Sequence, residues 1–219
     1  RTHMRIGYAC LTVALEGAQI KTCTLKNATP ERLLTLAGEN FAALERMIDY
    51  NIANQIPFYR ISSDIVPFGS SIASSLPWDS AHSDRLTSVA QKIKSSGMRV
   101  SMHPGQYTVL NSPDPGTVSR AIADLAYHEA ILSGLGLDAA HKIIVHIGGT
   151  YGDKPQAAGR FAAVWRGLPA TVRQRLVIEN DDRSFTASDV LALGTRLEIP
   201  VVFDNLHHLL NPSEQQRPD

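Results

Sequence analysis

No stretch of about 18 consecutive apolar residues occurs in the 219-residue sequence, which excludes an α-helical membrane span. Only two cysteines are present, Cys10 and Cys23, too few for a disulfide framework and in keeping with a reducing cytoplasm. Neither sign of charge is in excess: 21 Lys and Arg face 21 Asp and Glu. That balance argues against a large non-specific nucleic-acid surface. A local basic face remains compatible with it, because acidic ligands cancel basic residues in the total. No internal repeat or low-complexity tract is present. The apolar segment of a signal peptide is missing from the start, and Arg1-Thr2-His3 reads as a remnant before Met4. His3 is therefore left out of the ligand search.

What is present is a hydrophobic content of 43%, enough for one sizeable core, and residues 4–219 read as a single domain. Strand-like and helix-like segments alternate, the mark of an α/β protein. Strands are expected over 5–10, 57–61, 98–102, 142–145, 175–178 and 200–203. Helices are expected from Pro30, where Thr29 is the N-cap, and over 78–95, 114–135, 154–167 and 188–197. A Ser- and Gly-rich loop spans 62–75. A closed TIM (β/α)8 barrel needs eight strands and about 250 residues. Six βα units are evident, so a barrel incomplete at its C-terminal side is expected.

Four of the apolar runs end in a metal-type ligand. Arg99-Val100-Ser101-Met102 leads to His103, Ile143-Ile144-Val145 to His146, Leu176-Val177-Ile178 to Glu179, and Val201-Val202-Phe203 to Asp204. Buried parallel strands read as such runs, and the C-terminal ends of barrel strands surround one point. A carboxylate placed there is costly unless paired or metal-bound. The competing explanation is a buried ion-pair network with Arg60 or Arg99. His207, three residues after Asp204, is the better ligand of the adjacent pair, and His208 reads as a supporting or core residue. His82, His128 and His141 read as surface histidines, and Asp181 and Asp182 as a solvated turn. Cys10 reads as a small buried hydrophobe near the first strand's end. Imidazole and carboxylate without thiolate suit Mn, Zn, Fe or Co. The two oxygens of Glu179 are enough to bridge two ions, the usual arrangement for phosphoester hydrolysis.

The motifs resemble the UV damage endonucleases, a family similar to endonuclease IV in fold and metal arrangement. The resemblance is carried in order by Gly7-Tyr8-Ala9-Cys10, Phe58-Tyr59-Arg60-Ile61-Ser62-Ser63-Asp64, His103-Pro104-Gly105-Gln106-Tyr107, His146-Ile147-Gly148-Gly149-Thr150-Tyr151-Gly152-Asp153-Lys154, Glu179-Asn180-Asp181-Asp182 and Phe203-Asp204-Asn205-Leu206-His207-His208. It implies a TIM barrel holding up to three divalent ions, typically Mn. The implied reaction is nicking of double-stranded DNA immediately 5′ to a pyrimidine dimer; the sparse cysteines point to a cytoplasmic protein, and a monomer is expected. Carried over by position, His103, His146 and Glu179 hold one ion and form the catalytic set. Glu179 bridges to a second ion, also held by Asp204, and His207 serves a third. Gln106 and Tyr107 match the residues inserted into the duplex at the lesion, and Tyr8 matches a tyrosine that contacts the damaged strand. Thr12 and Lys154 are further candidate contacts.

Three departures stand out. Thr12 occupies a place where the family often has Asn, and Ser71 stands where it usually carries a metal-binding histidine. The family's later ligands, a histidine pair, a final glutamate and a modified lysine, have no match in these residues. Two other functions suit the same pattern: a metal-dependent sugar isomerase or epimerase, and a catalytically silent DNA-binding remnant.

Overall fold

A computed structural model describes residues 5–13 and 15–213, so the remnant expected at the first three positions lies outside the described residues. The elements run β1 (Gly7–Ala9), α1 (Pro30–Ala53), β2 (Phe58–Ile61), α2 (Trp78–Ala81), α3 (Ser83–Ser96), β3 (Arg99–Met102), α4 (Pro115–Gly134), β4 (Lys142–His146), α5 (Lys154–Gly167), α6 (Ala170–Arg175), β5 (Leu176–Glu179), α7 (Ala187–Leu197), β6 (Val201–Val202) and α8 (Asn205–Leu210). The strands pair in chain order, β1-β2-β3 in one group and β4-β5-β6 in another. The alternation expected from the sequence is present. It is joined by α6 and α8, six-residue helices too short to show a 3.6-residue period. Two compact units are distinguished: Arg1–His103 with Tyr127–His141, and Pro104–Ala126 with Lys142–Asp219.

In the first unit, β1, β2 and β3 pair in parallel, with Tyr8 opposite Tyr59 and Tyr59 opposite Val100. β1 is shorter than the expected 5–10. It leaves the sheet at Cys10, whose backbone takes a positive φ of 61°. A Cβ at Gly7 would lie 1.9 Å from the Phe58 carbonyl oxygen, so only glycine allows β1 this close to β2. α1 is capped as expected, the Thr29 hydroxyl accepting the Arg32 N–H at 3.3 Å. Its buried face runs Leu33, Leu36, Ala37, Phe41, Leu44, Met47 and Ile48, at helical spacing.

The helix expected over 78–95 is broken at His82, and this histidine does not lie on the surface. Its Nε2–H donates to the Leu34 carbonyl at 2.9 Å and its ring packs edge-on against Phe41, 5.8 Å between centroids. A backbone at φ −126°, ψ 25° ends α2 there, and α3 restarts at Ser83. His141 is likewise partly buried, its Nδ1 accepting the Val100 N–H at 3.1 Å. The Glu45 carboxylate on α1 meets Arg85, Ser88 and Lys92 on α3 and fastens the two helices together.

In the second unit, β4, β5 and β6 pair in parallel. His146 stands opposite Glu179, and Glu179 opposite Val202. Every residue of β5 is buried, as its unbroken apolar run requires. α7 opens on a capping box in which Thr186 and Asp189 satisfy each other's backbone N–H groups. β6 is two residues rather than the expected four, and Phe203 is already exposed.

Glu45 supplies a pH-dependent prediction. The Ser88 hydroxyl and the Lys92 and Arg85 cations hold its carboxyl below the ordinary glutamate range. A group depressed in the folded state contributes stability that is present above its unfolded pKa and lost as pH falls through the folded one. Glu45→Gln should therefore lower the urea midpoint at neutral pH. The difference from wild type should vanish as pH falls below the glutamate range. A difference independent of pH would mean that Glu45 acts by packing alone.

Candidate metal centre

His103 follows β3 directly and is half-buried. Its carbonyl accepts the Ser63 hydroxyl at 2.8 Å, and the Ser63 oxygen in turn accepts His128 Nε2–H at 2.9 Å. His128 is thus not a surface residue. It is 1% exposed and supports the turn that carries His103. A His in the middle of a helix shows its burial only through a partner distant in sequence, here 65 positions away.

On the second unit, His146 ends β4 and Glu179 ends β5. Register pairing sets their side chains side by side, and His146 Nε2–H donates to Glu179 Oε2 at 2.9 Å. Glu179 is 4% exposed, and the imidazole is pushed above its ordinary pKa by this hydrogen bond, against the opposing effect of burial. The His207 ring lies edge-on to that of His146, with centroids 5.3 Å apart. Asp204 caps α8, accepting the His207 N–H at 2.8 Å through Oδ1. His207 Nδ1–H donates to the Asn180 carbonyl at 2.9 Å, which leaves Nε2 as the lone-pair nitrogen. Two histidines, a buried glutamate and an aspartate are therefore neighbours on this unit. All are nitrogen or carboxylate-oxygen donors, and this donor set fits a borderline divalent cation. His208 is half-buried and packs its ring on Phe203, 5.2 Å between centroids.

Three residues of this region were not legible as parts of it. Asn180 is 0% exposed, and its side chain bridges to the backbone of Asp204. Asp181 is a buried turn former, not a solvated residue. Its carboxylate accepts the N–H groups of Arg183, Ser184 and Phe185. Asp182 is exposed, as expected. Ser63 lies in the Phe58-Tyr59-Arg60-Ile61-Ser62-Ser63-Asp64 motif, yet nothing in its spacing announces a contact 40 positions away.

The remaining candidates divide. Gln106 and Tyr107 are exposed on the loop leaving His103, Tyr107 by 83%. The Tyr8 hydroxyl donates to Asn51 Oδ1 and lies 2.7 Å from both Asn51 and the Thr12 hydroxyl, which donates to it. Lys154 is ion-paired with Asp189 at 2.8 Å and lies over the Phe185 ring. Arg99, offered as a structural partner for the strand-end carboxylates, is exposed and stacks on Phe58. Cys10 is half-buried, and burial raises its thiol pKa.

Relatives resolve the class. The sequence profile of the UV-endonuclease UvdE family matches residues 4–218. A UV DNA damage endonuclease from Clostridium perfringens is 40% identical over 206 residues, which cover 94% of this chain and 50% of that protein. The chain thus spans half the length of this relative. The crystal structure of SacUVDE superposes with a TM-score of 0.93 at 37% identity, covering 97% of this chain and 73% of that one. Fold alone is shared with D-psicose 3-epimerase (TM-score 0.58, 14% identity, 78% of this chain and 61% of that one) and with endonuclease IV from Thermus thermophilus (0.53, 18%, 75% and 58%). The fold is of the α/β, TIM-barrel type, with six βα units among the described residues. Within that class, the chain belongs to the UV-endonuclease UvdE family.

Asp181→Ala should lower stability by about 1–3 kcal/mol, the cost of stranding buried donors. Chemical denaturation followed by circular dichroism checks this. An unchanged midpoint would show that water replaces the carboxylate without loss.

Proposed function

We propose that this chain carries the catalytic metal centre of an endonuclease that nicks double-stranded DNA immediately 5′ to UV photoproducts. The observation that carries the reading is one cluster on the second unit: His146 Nε2–H meets the buried Glu179 carboxylate at 2.9 Å, the His207 ring lies against that of His146, and Asp204 caps the helix that carries His207. His103, His146 and Glu179 would hold one divalent ion, Glu179 would also reach a second beside Asp204, and His207 would serve a third. Mn suits this nitrogen and carboxylate set. A divalent ion supplies Lewis acidity for phosphodiester hydrolysis. The protein's part is to hold the donors. β4–β5 register fixes His146 against Glu179, the Ser63–His128 pair holds the turn at His103, and the Asn180 carbonyl orients the His207 ring through Nδ1–H.

Lesion reading falls to a different set of side chains. Gln106 and Tyr107 stand exposed beside His103, where an amide and a ring can fill the gap left by displaced bases. A photodimer pairs and stacks poorly, so extruding it costs less than extruding normal bases. The Tyr8 hydroxyl is engaged with Asn51 and Thr12, so Tyr8 would meet the damaged strand with its ring. Lys154, neutralised by Asp189, contributes less to phosphate binding than its sequence position suggests. Family membership favours this reading over a sugar isomerase, whose shared barrel is a matter of fold. We read the protein as a monomeric, cytoplasmic enzyme. Both cysteines are free thiols, and no helix among the described residues is long and apolar enough to cross a membrane.

End-labelled duplex bearing one photodimer should be cut on its 5′ side by the protein with Mn, and left intact when the ion is chelated. Lesion binding without any cut would instead identify a silent binding remnant. Changing Gln106 and Tyr107 together to Ala should weaken binding to damaged duplex by about 1–3 kcal/mol. Binding to undamaged duplex depends chiefly on phosphate charge and should be kept. Equal losses on the two DNAs, titrated at one salt concentration, would remove the lesion-reading role.

A further inference from the structure

We infer that Asn180 is the positioning residue for Asp204 and His207, an inference that rests on reading those two as metal ligands. The β5–β6 ladder ends at the pair Glu179 and Val202, so the backbone of Asp204 lies beyond the last rung. The Asn180 side chain supplies the missing one. Its Nδ2 donates to the Asp204 carbonyl at 2.9 Å, and its Oδ1 accepts the Asp204 N–H at 2.9 Å. An amide copies a peptide group in this way because it carries one donor and one acceptor side by side. Aspartate would set a second acceptor against the Asp204 carbonyl and add a negative charge next to Glu179. Alanine would leave both backbone groups to find other partners.

The main chain of the same residue acts on His207. The Asn180 carbonyl accepts His207 Nδ1–H at 2.9 Å, which orients the ring and turns Nε2 away from that carbonyl. Asp204 completes the arrangement by accepting the His207 N–H. One fully buried residue, adjacent to Glu179 in the chain, therefore sets the place of one candidate ligand and the ring orientation of another. Buried to 0%, it has no reach to DNA, so its influence on the reaction runs through these two residues.

The metal-free protein is titrated with Mn²⁺, free ion being read by electron paramagnetic resonance. Wild type is compared with Asp204→Ala, His207→Ala and Asn180→Asp. The first two variants should each weaken an Mn²⁺ site, the one Asp204 serves and the one His207 serves, and Asn180→Asp should weaken both by about tenfold to a hundredfold. If Asp204→Ala and His207→Ala change no site, the ligand reading fails. If they do and Asn180→Asp binds as wild type, the positioning role fails while the ligand reading stands. Should Asn180→Asp not fold, ¹⁵N resonances of the His207 ring in metal-free wild type decide. Protonated Nδ1 with bare Nε2 supports the inference, and the opposite tautomer overturns it.

Discussion

A carboxylate buried at the end of a central strand is the constraint around which this structure is arranged. Glu179 closes a strand with no exposed residue and is itself nearly inaccessible. A charge there carries a desolvation penalty of several kcal/mol unless cations or hydrogen bonds compensate it. The neighbouring strand answers with His146, held opposite Glu179 by register rather than by sequence proximity. An imidazole–carboxylate pair at strand ends is both a partial answer to that penalty and a pair of donors for a divalent ion. The two roles agree, because a bound cation compensates the same buried charge more fully.

Much of this was legible because parallel strands advertise themselves. The runs ending at His103, His146 and Glu179 are short, apolar and bounded, and all three are strands with the candidate ligand at or directly after the last residue. The run before Asp204 was legible too, but it pairs over only Val201 and Val202. Beyond that point a side-chain amide replaces the ladder, a substitution that leaves no periodic trace. Histidines were the harder class. His82, His128 and His141 look alike in sequence, each in or beside a helix, yet each is drawn inward by a partner far along the chain. Asp181 misled for the opposite reason. Acidic residues in a short loop usually face water, and here three backbone N–H groups turn inward to meet one of them.

The candidate metal ligands and the side chains proposed to read damage sit on different kinds of structure. The candidate ligands sit on strand ends braced by buried residues such as Ser63, His128 and Asn180. Gln106 and Tyr107 sit on an exposed loop immediately downstream of one ligand. Hydrolysis needs donors held to a fraction of an ångström, whereas insertion into a distorted duplex needs side chains that protrude.

The central claim is that Glu179 is buried in order to hold a cation, and thermal melting with and without Mn²⁺ tests it most directly. An ion that binds only the folded state raises stability by about 2.7 kcal/mol at a hundred times its Kd. The melting temperature of wild type should therefore rise with added Mn²⁺, and that of Glu179→Gln should not. An equal rise in both proteins, or none in wild type, would contradict the account.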